Sequence, residues 1–314
     1  MDRPTVLVAS RFLMSQREAW DDGYEIIGPD DLAAGLPRSD NVVNGVEVIV
    51  SDGEALDSRL VESLPCLKLV ACFSTGYSGI DLGLLRSRGI MLTTAGGVNA
   101  HDVADHAIAL ILSWWHGIMA ADRRVRDGSW RHSLVPRPSL QGKRVGIIGL
   151  GRIGLQIARR AEALGLRVGW WGPHDKTESG YARARDLISL ARESDILVVS
   201  ARASAANAGE IDSEVLTALG PNGLLVNVSR GFLVDEIALI RALESGAIAG
   251  AALDVFAQEP AEAQVWRRFD NVVLSPHIGG YTQEAGIAMF GQLRENIRCH
   301  FAGQPLLTPV EDSL

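Results

Sequence analysis

The sequence has few cysteines and no excess of basic residues. Its three cysteines, Cys66, Cys72 and Cys299, form no CxxC pair and show no Cys/His spacing, so we expect buried, reduced thiols. The formal net charge is -8, from 30 Lys and Arg against 38 Asp and Glu. Proteins that bind nucleic acid usually carry a basic stripe or patch, and we therefore expect no nucleic-acid partner.

Long hydrophobic runs are also missing. The most apolar helix candidate, 107–115, has about half the length that a bilayer span needs, and charged or polar residues flank it. The N-terminus enters a strand-like pattern at Thr5 without the basic and apolar segments of a signal peptide. We therefore expect no membrane partner and a cytoplasmic location, which suits reduced cysteines.

A glycine-rich run from Val145 to Gly154 is the most informative feature that is present, because it joins a strand pattern to a helix pattern. Gly149 permits a tight turn. Gly151 leaves room for a pyrophosphate at the backbone, and Gly154 permits close packing of the helix on the strand. The helix N-terminus then points at the anion. The run predicts a dinucleotide-binding site.

Two series of alternating strand and helix patterns run along the chain, and they predict two doubly wound parallel sheets of α/β class. Apolar periodicity also predicts a long helix from Asn99 to Ala121 and another from Gln283 to Phe301. The predicted strands of the first series are 5–9, 46–50, 67–73 and 90–93, and those of the second are 145–150, 167–171, 196–200, 224–228, 251–255 and 272–274.

Six motifs occur in one order along the chain: Val103 to Leu110, Arg126 to Trp130, Gly142 to Gly154, Asn227 to Gly231, Ala252 to Pro260 and Ser275 to Gly279. With them the sequence resembles the D-isomer-specific 2-hydroxyacid dehydrogenases, in the glyoxylate/hydroxypyruvate reductase-like branch. The resemblance implies a homodimer. It also implies a Rossmann cofactor domain, residues 99–283, inserted in a flavodoxin-like substrate domain, residues 1–98 plus 284–314.

The resemblance implies catalytic roles for Arg230, Glu259 and His277, and the chemistry of these residue types agrees with it. The guanidinium of Arg230 suits the carboxylate and keto oxygen of a 2-oxo acid, and it would stabilise the developing alkoxide. His277, as imidazolium, would donate a proton to that oxygen. Glu259 would favour the charged ring and hold its orientation.

Further site residues follow from the same resemblance. Asp254 is expected beside the nicotinamide, and the backbone amides of Ser74, Thr75 and Gly76 are expected to bind the substrate carboxylate, although the family commonly has Gly and Asp where Ser74 and Ser78 stand. Tyr281 is a candidate for the pocket wall. The predicted cofactor-binding residues are Gly149, Gly151, Arg152, Ile153, Gly154, Gly172, His174, Lys176, Arg202, Ser229 and Asp254, and the predicted substrate-binding residues are Ser74, Thr75, Gly76, Arg230, His277 and Tyr281.

The second strand of the cofactor domain favours NADPH over NADH. Sites that prefer NAD end this strand with an acidic residue, about 20 residues past the glycine motif, and Gly172 stands there instead. His174 and Lys176 follow and can donate to a 2'-phosphate, and Arg202 is a candidate for the adenosine end. NADH stays open, because a shifted loop would let Asp175 take the acidic role.

Several alternatives remain at this point. The substrate is a small 2-oxo acid such as glyoxylate or hydroxypyruvate, or an aromatic one such as hydroxyphenylpyruvate. A corepressor-like protein that senses nucleotides is an alternative of another class, because fold does not determine function. No metal site is expected, since the sequence lacks a Cys/His set for catalytic zinc. The three histidines of the long helix, His101, His106 and His116, are expected at the surface or in an interface.

Overall fold

The computed structural model describes residues 3–33, 45–53 and 55–310. Two compact units divide the chain: Met1–Asn99 with Thr282–Leu314, and Ala100–Tyr281. Among the described residues, no helix is both long enough and apolar enough to cross a membrane.

The strands are β1 Thr5–Val8, β2 Glu25–Ile27, β3 Val46–Ser51, β4 Leu69–Cys72, β5 Met91–Thr93, β6 Arg144–Ile148, β7 Arg167–Trp171, β8 Ala182–Arg183, β9 Ile196–Val199, β10 Leu224–Asn227, β11 Gly250–Leu253 and β12 Val272–Leu274. The α-helices are α1 Arg11–Ser15, α2 Pro29–Ala33, α3 Ser58–Glu62, α4 Leu82–Ser87, α5 Ala100–His116, α6 Ile118–Arg126, α7 Arg152–Ala163, α8 Leu187–Arg192, α9 Ser213–Leu219, α10 Glu236–Ser245, α11 Ala263–Trp266 and α12 Gln283–Phe301.

The first unit holds a five-stranded parallel sheet in the order β2-β1-β3-β4-β5. This is the flavodoxin-like order. Every residue of β1 and β4 is buried, which is why these strands appear in the sequence as continuous apolar runs rather than alternating ones. Strand β2 was not predicted, because three residues that begin with Glu25 present no periodic pattern.

The second unit holds a seven-stranded parallel sheet in the order β12-β11-β10-β9-β6-β7-β8. Strand β6 pairs with β7 on one side and with β9 on the other, so the direction of winding reverses there, as in a Rossmann sheet. The two-residue strand β8 was not predicted. The two sheets confirm the predicted fold class.

Two expectations were wrong. The helix predicted from Asn99 to Ala121 is two helices, α5 and α6, because Gly117 adopts a left-handed conformation with φ +65° and a left-handed glycine ends a helix. A Cβ on Gly117 would lie 3.0 Å from Nε of Arg137, so the Arg137 side chain packs closely against the glycine that separates the two helices. Cys66 is exposed, whereas Cys72 and Cys299 are buried as expected.

Candidate active site

The loops that leave the carboxyl edge of the second sheet carry most of the predicted site residues. Open α/β sheets bind their ligands at this edge. Since neighbouring strands lie about 4.8 Å apart, the four steps from β6 to β12 separate the glycine loop from the His277 loop by roughly 19 Å. Along the edge lie His277 after β12, Asp254 and Glu259 after β11, Ser229 and Arg230 after β10, Arg202 after β9, Gly149 to Gly154 after β6 and Gly172 to Lys176 after β7.

The glycine loop after β6 has the shape that a dinucleotide requires. Gly149 has φ +86°, and a Cβ there would lie 2.4 Å from Cα of Ala201. A Cβ on Gly154 would lie 2.2 Å from the Gly149 carbonyl oxygen. Beside Gly151, the N-cap of α7, a Cβ would meet nothing described within 4 Å. Two glycines are therefore required by packing, and the third leaves open space at a helix N-terminus, which attracts anions.

The loop after β7 begins with a residue that has room for a Cβ atom. A Cβ on Gly172 would lie 3.5 Å from the Trp170 ring, which is ordinary van der Waals contact. Arg183 holds the start of the loop, because its Nη2 donates to the Gly172 carbonyl at 2.7 Å and its guanidinium lies over the Trp170 ring. Among the predicted phosphate contacts, His174 is exposed and Lys176 is partly exposed.

The turn after β10 places Arg230. The Asn227 side chain bridges this turn: its Oδ1 accepts from the Ser229 amide and its Nδ2 donates to the Arg230 carbonyl, each at 3.0 Å. Ser229 Oγ donates to the carbonyl of Ala201, which ties this loop to the loop after β9. A Cβ on Gly231 would lie 1.8 Å from the backbone of Phe256. The Arg230 backbone is therefore fixed on both sides by neighbouring loops.

His277 and Glu259 form a direct pair. Nδ1 of His277 lies 2.7 Å from Oε2 of Glu259, and Oε1 of Glu259 accepts from the Phe256 amide at 3.0 Å. Donation of the Nδ1 proton to the carboxylate leaves Nε2 as the ring nitrogen that can exchange a proton with a ligand. The side chains are 45% and 37% exposed, so the pair is accessible.

The backbone of His277 is unusual. Of the non-glycine residues in the described ranges, His277 alone has a positive φ, at +54°. Such conformations cost roughly 1 to 3 kcal/mol and persist only where the surrounding structure enforces them. Here the His277 amide donates to the Asp254 carbonyl at 2.8 Å.

Asp254 is buried and its carboxylate organises the turn that carries His277. Oδ1 accepts from Ser275 Oγ at 2.6 Å and from the Ile278 amide at 2.9 Å, and Oδ2 accepts from the Gly279 amide at 2.8 Å. Burial alone would raise the pKa of Asp254, but hydrogen bonds from His106, Ser275 and the two amides outweigh it and lower the pKa to about 2. This carboxylate is therefore ionised at neutral pH.

His106 was expected at the surface or in an interface, and the structure corrects this. Its side chain is 20% exposed, and Nε2 lies 2.8 Å from Ser275 Oγ and 3.2 Å from Asp254 Oδ1. Ser275 was not predicted either. Both residues lie inside the recognised motifs, but one histidine on a helix and one serine after a strand carry no local signal of this contact.

The loop after β4, in the first unit, has the features of an anion-binding turn. The Ser74 hydroxyl donates to the Gly76 carbonyl within the loop, and the Thr75 hydroxyl donates to Asn99 Oδ1 at 3.2 Å. The amides of Thr75 and Gly76 donate to no residue that the structure describes. The side chains therefore shape the loop, and the backbone supplies the donors. Tyr281, predicted for the pocket wall, is 83% exposed.

Comparison with known proteins shows the family of this chain. Residues 108–279 match the family model described as D-isomer specific 2-hydroxyacid dehydrogenase, NAD binding domain. The chain is 41% identical over 269 residues to glyoxylate/hydroxypyruvate reductase A HPR2 of Arabidopsis thaliana, covering 85% of this chain and 86% of that protein. It is 40% identical over 264 residues to hydroxyphenylpyruvate reductase of Plectranthus scutellarioides, covering 84% of each.

Among solved structures, the chain is similar to the NADPH-dependent glyoxylate/hydroxypyruvate reductase of Sinorhizobium meliloti in complex with NADP and malonate. The TM-score is 0.89 at 34% sequence identity, and the match covers 99% of this chain and 98% of that one. The resemblance inferred from the six sequence motifs is thereby confirmed.

Proposed function

Because the chain belongs to the D-isomer-specific 2-hydroxyacid dehydrogenase family, we propose that this NAD(P)-dependent 2-oxo acid reductase is a cytosolic, NADPH-preferring enzyme for glyoxylate or hydroxypyruvate. The observation that carries the proposal is the accessible His277–Glu259 pair, 2.7 Å apart, on the sheet edge that also bears the glycine loop. The cysteines Cys66, Cys72 and Cys299 are free thiols, which suits a reducing compartment.

In this proposal the residues of the chain orient the oxo acid and move one proton. Bound NADPH supplies the hydride to the keto carbon. Arg230 binds the carboxylate and the keto oxygen, and stabilises the negative charge that develops on that oxygen as the carbonyl double bond opens. His277 Nε2 gives its proton to the oxygen, and Glu259 stabilises the imidazolium before transfer. The amides of the Thr75–Gly76 loop bind a carboxylate.

Initial rates of NADPH and NADH oxidation, measured with glyoxylate, hydroxypyruvate and hydroxyphenylpyruvate in parallel, test the proposal. We expect turnover of glyoxylate or hydroxypyruvate to the D-2-hydroxy acid, faster with NADPH. Higher kcat/KM for hydroxyphenylpyruvate would replace the substrate assignment by the aromatic one. Absence of turnover with all six pairs, together with tight NADPH binding, would favour a nucleotide sensor instead.

The Gly172→Asp variant is expected to reverse the cofactor preference. A carboxylate there would repel the 2'-phosphate and raise the KM for NADPH by at least about tenfold, while it offers the ribose hydroxyls of NADH an acceptor. Gly172→Ala is the control, since a Cβ has room and adds no charge. Lys176→Ala should raise only the KM for NADPH. If Gly172→Asp and Lys176→Ala both left the kinetics with NADPH unchanged, this loop would be excluded as the site that binds the 2'-phosphate.

We also propose that the enzyme is a homodimer that pairs through the segment 118–135. Exposed apolar side chains concentrate in this segment, and such concentration is typical of an interface. Light scattering should give twice the chain mass of 33.7 kDa, and Trp130→Glu with Val135→Glu should give monomers, whereas Ile237→Glu on α10 should not. A monomeric wild-type protein would contradict this. The exposed side chains are Ile118, Met119, Val125, Trp130, Leu134 and Val135.

A further inference from the structure

The conformation of the His277 turn depends on groups far from it in sequence. The Asp254 backbone carbonyl binds the amide of His277, and its carboxylate binds the amides of Ile278 and Gly279. Three consecutive amides are thus held by one residue. A Cβ on Gly279 would lie 2.9 Å from Asp254 Oδ2, so the approach of the carboxylate to this turn needs glycine there.

The carboxylate of Asp254 is in turn oriented by Ser275 and His106. Ser275 Oγ donates to Asp254 Oδ1 at 2.6 Å, so the hydroxyl has no proton left for His106 and accepts from it. Nε2 of His106 therefore carries the proton in this contact. Because Asp254 is ionised, that donor also faces a negative charge at 3.2 Å.

His106 lies on a long, packed helix. It lies in the middle of α5, a helix of 17 residues whose buried face packs in the core of the second unit. A donor on such a helix fixes its acceptors more precisely than a donor on a loop would. The exposed His101 and His116 of the same helix have no contact with Asp254 or Ser275 among the described interactions.

We propose that His106 is a positioning residue for the reduction. Through Ser275 and Asp254 it holds the turn in which the His277 backbone is left-handed, and this turn places the imidazole. This rests on the proposed function, in which His277 donates the proton. Glu259 orients the ring, while His106, Ser275 and Asp254 fix the backbone beneath it. Loss of the His106 donor removes one of the four groups that hold this carboxylate, beside Ser275 Oγ and the Ile278 and Gly279 amides. The acceptors of the two amides are then held less firmly.

The test compares His106→Leu, which removes the donor, with His106→Gln, whose amide nitrogen replaces it, and with His116→Leu as the matched control on an exposed position. Three quantities are measured on the full-length protein: kcat and KM for the oxo acid, the dissociation constant of NADPH from fluorescence, and hydrogen exchange of the peptide spanning 276–281 without cofactor. Thermal unfolding of each variant is recorded alongside.

We expect His106→Leu to lower kcat by about tenfold or more and to speed exchange of the Ile278 and Gly279 amides, with NADPH affinity unchanged. His106→Gln should restore both, and His116→Leu should match wild type. Ser275→Ala should reproduce the defect of His106→Leu.

Hydrogen exchange at the wild-type rate in His106→Leu would overturn the proposal. So would a loss of kcat and faster exchange that His106→Gln shares. Faster exchange throughout the second unit, together with a lower Tm, would also overturn it. If the wild-type protein reduced no 2-oxo acid, the proposed function would fail, while the exchange rates alone would still decide whether His106 holds the turn.

Discussion

Replacement of His277 by Asn is expected to lower kcat by about 10² to 10⁴-fold, the usual contribution of a general acid. The amide of Asn cannot donate a proton to a developing alkoxide at neutral pH, and it makes no imidazolium for Glu259 to stabilise. Asn is preferred over Ala because it tolerates a left-handed backbone, and φ at this position is +54°. The loss of activity then reports on proton donation rather than on backbone strain.

Steady-state kinetics and NADPH binding measured on the same preparation check this result. NADPH should bind with wild-type affinity, because the glycine loop follows β6, four strands away from β12 and the His277 loop. Glu259→Gln should give a smaller loss of kcat, since the imidazole remains. The Gln carries no charge, and its single acceptor oxygen replaces two carboxylate oxygens that accept from His277 Nδ1 and the Phe256 amide. A kcat near that of wild type in His277→Asn would show that another group donates the proton.

Replacement of Arg230 by Ala is expected to lower kcat/KM for the oxo acid by about 10² to 10³-fold. The variant loses both the cation that binds the carboxylate and the donor that stabilises charge on the keto oxygen. Asn227 and Ser229 make three of the hydrogen bonds that hold the backbone of this turn, and the Arg230 side chain adds one, from Nη1 to the Ser229 carbonyl at 2.7 Å. The fold should therefore survive, and NADPH binding should persist.

Two matched variants separate charge from shape at this position. Arg230→Lys keeps the positive charge but cannot bind a carboxylate and a keto oxygen with one planar fork, so we expect it to recover only part of the lost activity. Arg241→Ala removes an exposed arginine of α10 and should leave kcat/KM unchanged. Equal activity of the Lys variant and wild type would show that only the charge matters and not the bidentate geometry.

The sequence predicted six of the seven strands of the second sheet from their short apolar runs, and β9, β10 and β11 are buried at every residue. Residues 167–171 and 272–274 have the predicted bounds, and the four other predicted strands shift by one or two residues at their ends. Strands β2 and β8 have three and two residues, which is too short for any periodic signal. The long helix was predicted through Gly117, because one glycine in a helical pattern does not reveal its φ.

The glycine loop was predicted from its own motif, whereas the catalytic roles of Arg230, Glu259 and His277 were predicted because the motifs that contain them resemble those of a known family. A turn that needs φ above zero selects glycine, and binding a planar carboxylate selects arginine. The preference for NADPH was likewise predicted from the sequence, because Gly172 stands where an acidic residue is expected at the end of this strand.

What the sequence alone determined is therefore the order of the elements, the fold class, and which residue types can bind a dinucleotide and an oxo acid. What only the tertiary structure decided is how the His277 turn is held. His106 and Ser275 are 169 positions apart in the chain, and no local pattern encodes their contact. It arises because α5 packs on the same sheet whose β11 and β12 loops carry Asp254 and Ser275, and burial there makes an unmet hydrogen bond costly.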